Sequence, residues 1–116
     1  MTDTPGNAPL SPAAFHILVA VAGEPKHGYG IMKEVAAATS GQVKLHAGTL
    51  YTTIKRLLED GLIRETSAPP GVGSDDERRR YYALTPDGRQ AAETELARLQ
   101  SVVQRASDSL RPNPIS

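Results

Sequence analysis

The segment from His46 to Ile63 constrains this chain more than any other, because a helical start, a helical stop and two chemically different faces are written into it. Leu50, Ile54, Leu57 and Leu58 recur at steps of three and four, which gathers them on one side of a 3.6-residue helix. That side is a core face. Thr49, Thr52, Thr53, Lys55, Arg56 and Glu59 occupy the rest, and Gly61, just past the last periodic residue, marks a C-terminal stop. Leu62-Ile63 then opens an extended apolar segment. On the polar side, Thr49, Tyr51, Thr52, Lys55 and Arg56 offer hydroxyl, phenol, ammonium and guanidinium donors, the groups that reach phosphate oxygens and base edges in a DNA major groove.

The rest of the chain bounds what such a helix can belong to. With 116 residues it is one domain, small enough that a partner subunit would add stability. Phe15, Tyr29, Tyr51, Tyr81 and Tyr82 are all its aromatics, so the core must be mostly Leu, Ile, Val and Ala, which suits packed helices. The absence of cysteine excludes disulfides and thiolate metal sites. His16, His27 and His46 sit in separate segments without the pairing of a zinc site, so neither a metal nor a cofactor is expected. The start of the chain has no basic and apolar leader pattern, and no apolar run approaches the ~20 residues that span a bilayer; a cytoplasmic protein without a membrane partner is expected. Thirteen basic and thirteen acidic residues give a formal net charge of +0, which counts against a nucleic-acid binder. The charge is segregated, however: Arg78-Arg79-Arg80 form one block and Lys44, Lys55 and Arg56 another, and it is the local field that steers a ligand.

Punctuation residues divide the chain into elements. Ser11-Pro12 starts a first helix that runs to about Ala22. Phe15, Ile17, Leu18, Val19 and Val21 give it so wide an apolar face that a second subunit is expected to cover part of it, Phe15 included. Gly28 to about Thr39 reads as a second helix, and Val43-Lys44-Leu45 as a single short strand before the helix described above. Leu62 to Thr66 and Arg79 to Leu84 make a hairpin whose long tip contains Pro69-Pro70-Gly71. Thr85-Pro86 repeats the helix-start signal, and a final helix reaches about Ser109. Along it Ala92, Leu96, Leu99, Val103, Ala106 and Leu110 alternate steps of four and three, the seam of a coiled coil that calls for a partner helix. The alternative is that this stripe folds back on its own domain.

Helix, helix, short strand, helix, long-tipped hairpin and helix make a mainly α fold with a small β-hairpin, a winged helix-turn-helix followed by a C-terminal dimerisation helix. The chain resembles the PadR family of bacterial transcriptional regulators through Phe15-His16-Ile17-Leu18, Lys26-His27-Gly28-Tyr29-Gly30-Ile31, Gly48-Thr49-Leu50-Tyr51, Lys55-Arg56-Leu57, Asp60-Gly61-Leu62-Ile63, Arg79-Arg80-Tyr81-Tyr82 and Leu84-Thr85-Pro86-Asp87-Gly88. The resemblance implies a homodimeric repressor that binds a palindromic operator in double-stranded DNA and is released by a small-molecule effector or a stress signal. It also implies that the final helix is the dimerisation arm, as in short-tailed members of the family. The expected organisation is a disordered tail over 1–9, a DNA-binding domain over 10–85, a dimerisation helix over 86–110 and a tail over 111–116.

Each candidate contact has a competing structural role. His27, Gly28 and Tyr29 at a helix start suit a phosphate, but Gly28 could simply allow close packing while His27 caps. Tyr51 could pack beside Leu50, and Arg56 could pair with Glu59 or Asp60. Arg78, Arg79 and Arg80 are candidate wing contacts, or part of a self-neutralising turn with Asp75, Asp76 and Glu77. An enzyme is not expected, since no nucleophile with a base, no paired carboxylates and no phosphate loop is present; Gly71-Val72-Gly73 belongs to a hairpin tip. A winged-helix adaptor that binds protein without DNA is the alternative function, and strong salt dependence of DNA binding would separate the two.

Overall fold

Helix α1 (Pro12–Ala22) begins where Ser11 accepts the Ala14 N–H on its Oγ at 3.1 Å and Pro12 occupies the first helical position, which has no N–H to satisfy. The computed structural model describes residues 9–71 and 79–112, so most of the two expected tails and Arg78 lie outside it. Ile17 and Leu18 on α1 are fully buried, and Lys26 donates from Nζ to the Ala20 carbonyl at 2.6 Å, satisfying an acceptor in the last turn. Strand β1 (Lys26–His27) leads into α2 (Gly28–Ala38), whose apolar positions Ile31 and Val35 meet α1. Thr39 ends α2 by donating to the Val35 carbonyl at 2.9 Å while accepting the Val43 N–H at 3.0 Å. Ser40 and Gly41, at φ 52° and 79°, turn the chain toward α3 (Ala47–Glu59).

The end of α3 is a Schellman motif. Gly61 sits at φ 75°, its N–H donates to Leu58 and the Leu62 N–H donates to Leu57 at 2.9 Å, with Leu57 and Leu62 both buried as the accompanying apolar contact. Strands β2 (Ile63–Thr66) and β3 (Tyr81–Leu84) follow, and the sheet has the order β1-β3-β2, all antiparallel. Ile63 pairs with Leu84 and Glu65 with Tyr82, while Lys26 takes the other side of Tyr82. As the central strand, β3 buries Tyr81, Tyr82 and Ala83 in succession rather than alternately.

One expectation needs correcting. Val43 to Leu45 is not a strand; the third strand is Lys26–His27, before α2. The free edge of β3 is already filled by those two residues, and Leu45 instead buries its side chain in the core. A strand this short carries no periodic signal of its own, since it exists only through its partner.

The last helix, α4 (Pro86–Ser109), docks through buried Gly88, Ala91 and Glu95, with Ala92 and Leu99 half-buried beside them. Thr85 caps it, accepting the Gly88 N–H at 2.9 Å and donating its hydroxyl proton to the Gly61 carbonyl at 2.6 Å. The Thr85 N–H donates to the Leu62 carbonyl at 3.2 Å. A Cβ at position 88 would lie 1.9 Å from that same carbonyl oxygen, so only glycine lets α4 start there. The prediction is that Gly88→Ala destabilises the chain by about 1–3 kcal/mol or more, as overpacking against backbone does, although helix propensity alone would favour Ala by roughly 0.5–1 kcal/mol. Urea denaturation measures it, and an unchanged or raised midpoint would contradict this packing.

Candidate nucleic-acid interface

Helix α3 seals Leu50, Ile54 and Leu57 into the core and leaves Thr49, Tyr51, Thr52, Lys55 and Arg56 exposed. No ion pair among the described residues includes Arg56, so it does not pair with Glu59 or Asp60. At the start of the helix His46 gives no side-chain cap, and nothing stands within 4 Å of where a Cβ on Gly48 would be. The first-turn N–H groups and the positive end of the helix dipole therefore face outward without a side chain over them.

The start of α2 lies beside this face. His27 accepts the Gly30 N–H on Nδ1 at 3.0 Å, and so caps α2. Gly28 is buried beneath Tyr51: a Cβ there would meet the phenol oxygen at 2.5 Å. Tyr51 is thus both a surface side chain, 51% exposed, and the cover over the turn between β1 and α2. Tyr29 points outward at 55% exposure, with its ring nearly parallel to His27 (centroids 6.5 Å, 12°). Lys33 Nζ stands 5.5 Å from the centre of the Tyr29 ring and the Arg79 guanidinium carbon 5.9 Å, so two cations flank one exposed ring.

The base of the wing completes the surface. Arg79 Nη1 lies 3.4 Å from His27 Nδ1 and 3.2 Å from Nε2. Near-equal distances to both ring nitrogens, one already accepting from Gly30, place the guanidinium over the ring instead of on a lone pair. Arg80 pairs with Glu65 at 3.5 Å across β2 and β3, both side chains exposed. Exposed pairs of this kind contribute about 0–1 kcal/mol, so a phosphate can displace Glu65 at little cost. His27, Gly28, Tyr29, Tyr51, Arg79 and Tyr82 line a concavity of about 290 Å³ between α2, α3 and the wing. Burial raises the Tyr82 phenol above its usual value and the charge of Glu65 adds to the effect, so it remains a neutral hydroxyl at the back of that concavity.

The structure therefore brings His27, Gly28, Tyr29, Tyr51, Arg79 and Arg80 together around one concavity, while Thr49 and Lys55 are exposed on α3 beside it and Thr52 and Arg56 line a second concavity with Leu10, Ser11 and Asp60 at the start of α1. Lys33 and Tyr82 join them without having been singled out. Lys33 stands four residues after Tyr29 in a helix, a spacing that could have found it; Tyr82 is buried in a central strand and gave no such signal. Among the described residues no group of three or more His, Cys, Asp or Glu comes together as a metal site requires. No helix among them is long and apolar enough to cross a membrane.

The residues expected to dimerise divide by position. Ala92 packs partly against the core of its own domain and Leu99 is half-buried. Leu96, Val103, Ala106 and Leu110 are exposed, Leu110 at 81%, and exposed Val102 adjoins them. Phe15 is half-buried on α1, four residues before exposed Val19.

Residues 17–94 match the model of the transcriptional regulator PadR-like family. The fold is similar to that of a PadR family transcription regulator from hypervirulent Clostridium difficile R20291, at TM-score 0.72 and 23% identity over 87% of this chain and 100% of that one. A PadR-like transcriptional regulator from Bacillus cereus strain ATCC 14579 superimposes at TM-score 0.73 and 21% identity, covering 86% of this chain and 92% of its own. A probable transcriptional regulator from Pseudomonas aeruginosa shares 28% identity at TM-score 0.61, over 88% of this chain and 68% of that one. Among curated proteins none matches the chain at a significant level.

The contact between Gly28 and Tyr51 is open to a double-mutant cycle. Gly28→Ala is expected to cost less than the ~1–3 kcal/mol of overpacking in a closed core, because the phenol it meets is the far end of a half-exposed side chain that can turn aside. In a Tyr51→Ala background the same change is expected to be neutral or slightly stabilising. Equal costs in both backgrounds would show that the two residues do not touch.

Proposed function

The chain belongs to the PadR-like family of transcriptional regulators, and from that premise we propose that it is a homodimeric repressor that binds a palindromic operator and is released by a small molecule or a stress signal. The observation that carries this reading is the division of α3 into a sealed apolar face and an exposed face bearing Thr49, Tyr51, Thr52, Lys55 and Arg56. That face enters the major groove, with Thr52 and Arg56 turned to base edges or phosphates and Lys55 to the backbone. Tyr29, with its flanking Lys33 and Arg79, meets the adjacent phosphates, while His27 and Gly28 hold the α2 start in place beneath Tyr51. Arg80 reaches the duplex by leaving Glu65, and Arg78, outside the described residues, is a further candidate contact by its place in the sequence.

Residues 10–85 act as the DNA-binding unit and 86–110 as the dimerisation helix. A second copy covers Leu96, Val103, Ala106 and Leu110 on α4, with Ala92 and Leu99 at the root of the seam and Phe15 on α1 at its margin. Two α3 faces then sit about one duplex turn, roughly 34 Å, apart. An effector or stress signal releases the repressor by favouring a dimer in which that separation no longer fits. The cytoplasm is where such a regulator acts.

Fluorescence anisotropy on DNA from the chain's own upstream region, at several salt concentrations, tests the reading. A steep salt dependence is expected, and Lys55→Ala should weaken binding and lower the slope by about one. An unchanged slope removes Lys55 from the interface. Sedimentation at micromolar concentration should find a dimer, and a strictly monomeric chain would contradict the operator model.

A further inference from the structure

Glu95 is a buried charged residue, 4% exposed, on a helix whose other buried residues are Gly88 and Ala91. Its Oε1 accepts the backbone N–H of Leu10 at 3.1 Å, from a residue 85 positions earlier that leads directly into the Ser11 cap of α1. Arg98, one turn further along α4, holds the other carboxylate oxygen through Nη2 and approaches Oε1 with Nε at 3.2 Å. Those hydrogen bonds from Arg98 keep the carboxyl below its usual range against the opposing effect of burial, and the Leu10 N–H adds to them. Every buried side-chain nitrogen and oxygen among the described residues has a partner.

A paired charge in a core gives little net stability, since a well-packed apolar side chain of similar volume would serve as well or better. What it provides is direction. Gly88 and Ala91 pin only the first turns of the helix, whereas the Glu95 carboxylate, bound to a main-chain N–H far away in sequence, ties it to the domain one turn further along. Glu95 is also the last buried residue of α4; beyond it only Leu99 is half-buried and the remainder is exposed. The rod past Glu95 extends for about 21 Å, so a tilt of ~10° there moves its tip by about 4 Å. That displacement is close to the rise of one base pair, about 3.4 Å.

We propose that Glu95 is a positioning residue: its bond to the Leu10 main chain fixes the direction in which α4 leaves the domain, and so sets the operator spacing that the dimer accepts. The spacing half of this statement rests on the dimeric DNA-binding reading above; the direction of the arm does not.

The chain has no cysteine, so spin labels can be placed at Gln42→Cys and Ser107→Cys in the full chain without background sites. With labelled chain diluted into an excess of unlabelled chain, pulsed electron resonance reads the distance from the body to the arm within one copy. One narrow distance is expected, and Glu95→Ala should broaden it or shift its mean by about 4 Å. Glu95→Gln keeps an acceptor for Leu10 and should restore the narrow distance. If the alanine variant does not fold, Glu95→Asp retracts the carboxylate by one methylene and should act like it. A lowered melting temperature with an unchanged distance would overturn the proposal, as would a broad distance in the unmutated chain. If the distances behave as expected but no duplex is bound, the arm assignment stands and the regulator reading falls.

Discussion

The carbonyl oxygen of Leu62 is the point on which three elements converge. It accepts the Thr85 N–H and lies where any side chain at position 88 would collide with it, so the end of α3, the start of β2 and the start of α4 share one contact. The Schellman turn at Gly61 aims that carbonyl, and the Thr85 hydroxyl ties the Gly61 carbonyl to the cap of α4. Backbone held in this way cannot be adjusted by a rotamer change. The position of the start of α4 relative to the α3 polar face therefore follows from main-chain geometry, and its course further along depends on the bond from Leu10 to Glu95.

The interface is organised differently, through side chains that already engage one another. Arg79 lies over His27, Arg80 pairs with Glu65, and Tyr51 covers Gly28. These contacts preorganise the wing base against α2 and lower the entropy lost when a partner arrives. They also reconcile a zero formal net charge with a local cluster of cations: Glu65 stands against Arg80, while Lys33 and Arg79 flank the Tyr29 ring.

How much of this was legible in the sequence depended on whether the signal was local. The helices were, because Ser11-Pro12, Gly61 and Thr85-Pro86 announce their ends through capping chemistry and the structure places their bounds there. The polar side of α3 followed from its period. Lys26–His27 did not, since a two-residue strand is defined by the edge it fills and Val43 to Leu45 looked equally extended. Glu95 was hidden for a related reason: on α4 the docked set Gly88, Ala91 and Glu95 lies next to the apolar seam of Ala92, Leu96 and Leu99, and a heptad pattern places the seam outward without revealing a carboxylate turned inward. Its partner is a main-chain N–H far away in sequence, which no side-chain pattern records.

The central claim is that the exposed face of α3, flanked by the start of α2 and the wing base, is the surface that meets the duplex. Titrating isotope-labelled chain with DNA from its own upstream region and following amide shifts by nuclear magnetic resonance tests it most directly. The account predicts perturbations centred on residues 47–56, Tyr29, Lys33 and the wing base, with the α1 surface around Phe15 and Val19 unmoved. Perturbations concentrated on α1 or the arm, with Thr52, Lys55 and Arg56 unchanged, would contradict it.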